Sequence, residues 1–112
     1  MSLRKKQAQF AYMVADLIYW CFEQGYEVTF SEAYRDPALA KYYATQGKGI
    51  VNSLHCIRLA IDLNFFKDGN YLDKTEQLTP IGEYWESQGG SWGGRFKSKD
   101  GNHFSLEHNG VK

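Results

Sequence analysis

Ser53-Leu54-His55-Cys56-Ile57-Arg58-Leu59-Ala60-Ile61-Asp62-Leu63-Asn64 is the stretch that decides how this chain folds. From Arg58 to Phe65 apolar and polar residues alternate, the two-residue period of a strand with one buried face. Leu59, Ile61, Leu63 and Phe65 fall on the core side, and Arg58, Ala60, Asp62 and Asn64 on the other. The small Ala60 leaves space beside Asp62. Aspartate is disfavoured inside strands and costly when buried without a partner, so Asp62 asks for a reason to be there. His55 has the wrong parity to share that face in an unbroken strand. It has to arrive from a bend or loop near Cys56-Ile57.

Upstream, Leu3 to Gln24 reads as an amphipathic helix. Phe10, Met13, Val14, Leu17, Ile18 and Cys21 form one stripe, with Ser2 as cap and Gly25 past the end. Tyr26 to Phe30 alternates like a strand. Ser31 to Pro37 breaks the pattern, and Pro37 suits the first turn of a second helix running to Ala44. Gln46-Gly47-Lys48-Gly49 reads as a loop. Downstream, Lys67-Asp68-Gly69-Asn70 is a hairpin-type turn leading to Tyr71-Leu72. Thr79-Pro80 opens a short helix to Glu86, and Gln88 to Phe96 is a loop rich in glycine and aromatics. A last strand spans His103 to Glu107, with Phe104 and Leu106 inward and His103, Ser105 and Glu107 on the opposite face. No internal repeat, linker or low-complexity segment interrupts the 112 residues, which fit one domain over 1–112.

Composition excludes several classes. The chain is 43% hydrophobic and 16% aromatic, enough for a compact core at this size. Its 13 basic and 13 acidic residues cancel, and no Lys/Arg stripe stands out, so a nucleic-acid partner is not expected. Arg4-Lys5-Lys6 reads as a solvated helix start. Cys21 and Cys56 make no disulfide scaffold and read as reduced thiols, which suits a cytoplasm. Cys56, next to His55, is a poor second ligand because adjacent residues rarely point at one ion; burial as a small apolar residue suits it better. The N-terminal basic residues and Phe10 to Ala15 resemble the start of a signal peptide, but Asp16 interrupts the apolar run and no cleavage site follows. No stretch is long enough to span a membrane. A soluble protein without an export signal is the expectation.

A second cluster, Asp100-Gly101-Asn102-His103-Phe104, lies near the C-terminus. With the first it supplies two imidazoles and two carboxylates. A catalytic zinc takes three protein ligands from His, Asp, Glu or Cys and leaves one position open, a count that His55, Asp62 and His103 meet. Asp100, three residues before His103, can reach the same neighbourhood as a general base, and Arg35 can offer positive charge to an oxyanion or a substrate carboxylate. Spacing leaves alternatives open. A histidine in a small domain is more often on the surface or satisfied in the core than a ligand. His108 competes with His103, though its parity in the last strand is opposite. Glu83 and Glu86, on one helical face, read as solvated, with either as a substitute for Asp100. Trp85, Trp92 and Tyr84 read as core packing, one of them as a possible cleft wall.

At these residues the chain resembles a known family. Ser53-x-His55-x-x-Arg58-x-Ala60-x-Asp62 is similar to the Ser-x-His-x-x-Gly-x-Ala-x-Asp motif of the zinc D-alanyl-D-alanine carboxypeptidases and L-alanyl-D-glutamate endopeptidases, peptidase family M15 (VanY-like). Asp100-x-x-His103-Phe104 resembles that family's second motif, an acidic residue three before the last zinc ligand. Tyr34-Arg35 matches an upstream pair, and Trp92-Gly93-Gly94 is similar to a segment of the phage endolysin branch. The resemblance runs from about Thr29 to Phe104. It implies an α+β fold, a small antiparallel sheet flanked by helices with one zinc in a surface cleft. It further implies His55, Asp62 and His103 as zinc ligands, Asp100 as base, Arg35 as the transition-state arginine and Ser53 near the metal and substrate. Peptidoglycan stem peptides are the implied substrate. A phage or prophage lysis enzyme is the implied setting, accumulating in the cytoplasm and acting on the wall after release, with no room for a separate wall-binding domain. A non-catalytic module that keeps the fold and binds wall peptides or a partner protein is the alternative. One departure stands out: Arg58 replaces the motif glycine and, by strand parity, faces the Asp62 side, where it would contact substrate or tie down the carboxylate.

Overall fold

The first helix, α1 (Leu3–Glu23), begins where the Ser2 hydroxyl accepts a hydrogen bond from the Lys5 amide, and it buries Phe10, Val14, Leu17 and Cys21. These positions form the stripe read from the sequence, with Met13 and Ile18 packed at its edges. The remaining regular elements of the computed structural model, which describes residues 1–112, are β1 (Tyr26–Phe30), α2 (Pro37–Thr45), β2 (Ala60–Lys67), β3 (Asn70–Tyr71), α3 (Thr79–Ser87), β4 (Ser91–Trp92) and β5 (His103–Ser105). Short 3₁₀ turns cover Leu54–Ile57, Thr75–Leu78 and Gly93–Arg95. The fold is α+β: an antiparallel sheet of order β1-β2-β5-β4, with β3 paired to the end of β2, and helices packed against it.

The alternation of β2 works as its pattern requires. Leu59, Ile61, Leu63 and Phe65 are buried with Phe104 of β5 and with Ile81 and Trp85 of α3. Trp85 ties these layers together. Its ring meets Phe10 and Phe104 edge-on, and its Nε1 donates to the Ser91 and Ser105 carbonyls at 3.1 and 3.0 Å. On the opposite face of the sheet, β2 pairs with β5 so that Asp62 stands directly across from His103.

Helix ends shift by a residue and β2 runs on to Lys67, but three differences from the sequence reading matter more. β2 starts at Ala60, not Arg58, because Arg58 adopts the left-handed conformation (φ 57°, ψ 38°) that closes the preceding 3₁₀ turn. β5 ends at Ser105 rather than Glu107. The Leu106 amide still donates to Leu59 at 2.9 Å, but His108 and Val111 then pair with each other. The segment Gln88 to Phe96 is not all loop: it contains β4 and a 3₁₀ turn. Both cysteines are free, with Cys21 in the core. No helix is long and apolar enough to cross a membrane.

Gly82 in α3 marks the tightest packing of this layer. A Cβ there would lie 2.0 Å from Cδ2 of the buried Trp92. Helix propensity alone favours Gly82→Ala by ~1 kcal/mol, whereas forcing a methyl into a filled core costs about 1–3 kcal/mol. The clash should win, and urea denaturation of Gly82→Ala should show a net loss of stability.

Candidate metal centre

Each side chain at the centre is placed by a separate device. Asp62 sits in the middle of the central strand. Its amide donates to the Glu32 carbonyl at 2.8 Å and its carbonyl accepts from the Ser31 amide at 3.0 Å, which extends the β1 pairing by two residues. His103 opens β5 opposite it. His55 arrives on the 3₁₀ turn Leu54–Ile57, as the parity argument demands. The Ser53 hydroxyl caps that turn by accepting from the His55 amide at 3.2 Å, and the Arg35 amide donates to the His55 carbonyl at 3.2 Å. Gln7 of α1 reaches over to donate to the Ile57 carbonyl at 2.8 Å.

Asp62 Oδ1 lies 3.3 Å from His55 Nε2 and 3.4 Å from His103 Nδ1. One donor atom from each of the three residues lies within 4.8 Å of the others. The imidazole contacts to Oδ1 are not aligned as hydrogen bonds, and Oδ1 is buried without a partner, as are His55 Nδ1 and His103 Nε2. A buried carboxylate oxygen facing two ring nitrogens is expensive if nothing satisfies it. A cation between the three donors would satisfy it, so the residues present fit a bound metal. Burial by itself would raise the Asp62 carboxyl. The contacts with His103 and His55 and the electrostatic attraction of those rings outweigh burial and hold it down at about 2. Asp62 is thus an anion at any ordinary pH.

The three side chains lie in a cleft of about 820 Å³ whose lining also includes Arg35, Ser53, Phe96 and Asp100. Asp100 is held from two sides. Its amide donates to the Gly93 carbonyl at 2.9 Å, and its carbonyl accepts from the His103 amide at 3.1 Å. A Cβ on Gly93 would fall 2.1 Å from that carbonyl and 2.8 Å from His103 Cβ, so only glycine permits the approach. Trp92 Nε1 fixes the same turn by donating to Gly101 at 2.9 Å. The Asp100 carboxyl is pushed up by burial first and by the Asp62 charge second, against the opposing pull of His103 and His55. The structure therefore brings together His55, Asp62, His103, Asp100, Arg35 and Ser53.

Arg58 is the exception. Its left-handed backbone takes it off the strand, so strand parity does not govern its direction. Its guanidinium stacks on the Tyr34 ring at 4.2 Å, and it is absent from the cleft lining. The position accepts the backbone that a glycine adopts readily, which gives the motif glycine a physical reason. The other candidates also lie elsewhere. His108 faces Lys6 Nζ at 3.2 Å. Glu86 pairs with Arg95 on the surface, with Glu83 3.9 Å away. Trp85 and Trp92 are core residues, and Tyr84 stacks on Trp20. Sequence reasoning passed over Glu32, whose Oε1 accepts from the Arg35 guanidinium and lies 3.7 Å from His55 Nδ1. The only sequence signal was its spacing, three residues before Arg35.

A family model described as D-alanyl-D-alanine carboxypeptidase matches residues 46–106, more than half of the chain and the span that carries all three convergent donors. The chain belongs to the M15 peptidases. In fold, this M15 peptidase is similar to the crystal structure of Serratia marcescens L-Ala D-Glu endopeptidase ChiX. The TM-score is 0.73 at 20% sequence identity, covering 89% of this chain and 79% of that one. No curated protein sequence matches it. For Arg58→Gly, relief of a left-handed residue, ~1–2 kcal/mol, offsets a lost cation–π contact of about 0.5–1 kcal/mol. Stability should change little, and KM for peptide substrates should stay at the wild-type value. A raised KM would return Arg58 to the substrate site.

Proposed function

We propose that this M15 peptidase is a zinc-dependent hydrolase of amide bonds in bacterial peptidoglycan stem peptides, with His55, Asp62 and His103 as the ligands of a single zinc ion. The observation that carries the reading is the convergence of one donor atom each from His55, Asp62 and His103, around an Asp62 oxygen without a hydrogen-bond partner, on the wall of an open cleft. Two imidazoles and one carboxylate are a donor set suited to catalytic zinc. When bound, zinc supplies Lewis acidity toward a peptide carbonyl and toward a water.

The chain's own groups supply the rest. Asp100 takes the proton of the attacking water and passes it to the leaving amine. Its raised carboxyl holds a proton more readily than an ordinary surface aspartate, which suits that double duty. Arg35, its guanidinium gripped by Glu32, offers N–H donors to the developing oxyanion or to a substrate carboxylate. Ser53 lines the same cleft and contacts the substrate near the metal. Arg35, Lys48, Lys97, Lys99 and Lys112 line the cleft against only Asp62 and Asp100, in a chain whose charges otherwise cancel. Such a lining suits a peptide that carries carboxylates, as stem peptides do. The names of the family and of ChiX both refer to bonds beside a D-residue, which supports the same substrate class. The phage-like Trp92-Gly93-Gly94 segment supports a lysis role, with synthesis in the cytoplasm and action on the wall after release.

Three measurements test this. Chelation should abolish release of fragments from purified cell walls, and zinc should restore it. Asp100→Ala should lower kcat by about 10²–10⁴-fold, the range of a lost general base, with zinc binding retained. If both treatments leave wall degradation unchanged, this mechanism is wrong; a metal-loaded domain that binds walls and releases no fragments is a binding module and not this enzyme. Mass spectrometry of products from defined muropeptides identifies the bond. In a separate series, KM should rise as salt screens the lysine-rich rim; a KM indifferent to salt removes the charge argument for the substrate.

A further inference from the structure

Glu32 has no part in the chemistry described so far, yet it lies against two members of the site. Its Oε1 accepts from Arg35 Nε at 3.0 Å and from a second Arg35 nitrogen. The same oxygen is 3.7 Å from His55 Nδ1. His55 is 3% exposed, and its Nδ1 is buried with no hydrogen-bond partner. The other ring nitrogen, Nε2, faces Asp62 Oδ1. The main chain around Glu32 is fixed: its carbonyl holds the Asp62 amide, and the Arg35 amide holds the His55 carbonyl. Only the side chain has to turn slightly to close the gap to Nδ1.

We propose that Glu32 is a positioning residue for the metal centre: its carboxylate accepts the Nδ1–H of His55 and so fixes the ring tautomer and orientation that present the Nε2 lone pair to the metal. The inference rests on the reading of His55 as a metal ligand. A neutral imidazole donates from one nitrogen and accepts or ligates with the other, so whatever binds Nδ1–H decides which nitrogen meets the ion. A carboxylate has lone pairs enough to serve His55 and Arg35 together. Glu32 would then orient a ligand on one side and the cleft arginine on the other.

The test is zinc affinity of the purified metal-free protein, measured by competition with a chelator of known affinity, so that the readout does not depend on turnover. Glu32→Ala should weaken zinc binding by about 10–100-fold, the usual effect of losing a carboxylate behind a ligating histidine. Glu32→Gln keeps the shape and an acceptor oxygen without the charge, and should fall between Glu32→Ala and wild type. Arg35→Ala should leave zinc affinity unchanged. Equal affinity in wild type, Glu32→Gln and Glu32→Ala overturns the proposal. So does a loss in Arg35→Ala as large as that in Glu32→Ala, because Glu32 would then act through Arg35. If Glu32→Ala melts early without metal, the isosteric Glu32→Gln decides alone. Wild type that takes up no zinc, or His55→Ala that binds it as well as wild type, overturns the ligand assignment itself.

Discussion

The register between β2 and β5 is the constraint on which the rest of the molecule depends. It sets Asp62 directly opposite His103, on the face away from the main core. Side chains alternate with a period of two, so a slip of one residue would turn Asp62 into the apolar layer and Leu63 out of it. The hydrophobic face enforces the register: Leu59, Ile61, Leu63 and Phe65 are all buried, and Phe104 packs against them from β5. Trp85 locks the far edge by donating to main-chain carbonyls of both β4 and β5. Packing on one side of the sheet thereby aligns Asp62 and His103, two members of the candidate metal cluster, on the other.

A strand cannot deliver the third. His55 is an odd number of residues from Asp62, so an unbroken strand would aim the two in opposite directions. The 3₁₀ turn Leu54–Ile57 and the left-handed residue after it reverse that parity in the shortest available way. Glycine takes such a backbone at no steric cost, while a non-glycine residue pays roughly 1–2 kcal/mol. Arg58 recovers about 0.5–1 kcal/mol of this by stacking on Tyr34. The turn is further held by the Ser53 cap, by Gln7 from α1 and by the Leu59 amide on the Leu54 carbonyl. With that many ties the small remaining strain is tolerable. The departure from the motif glycine is therefore a local exchange of backbone freedom for a surface stack, outside the lining of the cleft.

What the sequence disclosed follows from where periodicity exists. α1, α2, α3, β1 and the two faces of β2 all extend far enough to show a period or a cap, and the displaced His55 follows from parity. The start of β2 was misplaced because a left-handed arginine leaves no mark on an alternating pattern. β4 was invisible because two residues carry no period, and Thr75–Leu78 because 3₁₀ turns lack a distinct apolar signature. Glu32 was missed for a different reason. Its significance lies in a contact between residues twenty-three positions apart, made by β1 running on past Phe30 to pair with Asp62. Nothing local separates it from a solvated glutamate.

The two aspartates of the cleft show how one small fold shifts the same side chain in opposite directions. Asp62 is half-buried and Asp100 opens onto the cleft, yet the protein around each displaces part of its water, and this desolvation pushes both carboxyls upward. Asp62 escapes because it touches two imidazoles at 3.3 and 3.4 Å, and these hold it near 2. Asp100 has no such contact. It stands in the field of Asp62, which adds to its burial and raises it. The low carboxyl stays an anion, the state in which a carboxylate can hold a cation, and the raised one takes up a proton more readily. The difference is built by backbone placement. One aspartate lies across a β ladder from a histidine. The other sits in a turn held beside that same histidine by the close approach of Gly93 and by the Trp92 indole. Loosening that turn would shift Asp100 and, through the Asp100 carbonyl that the His103 amide holds, His103 as well, so the Trp92-Gly93-Gly94 segment shapes the cleft as much as it fills the core.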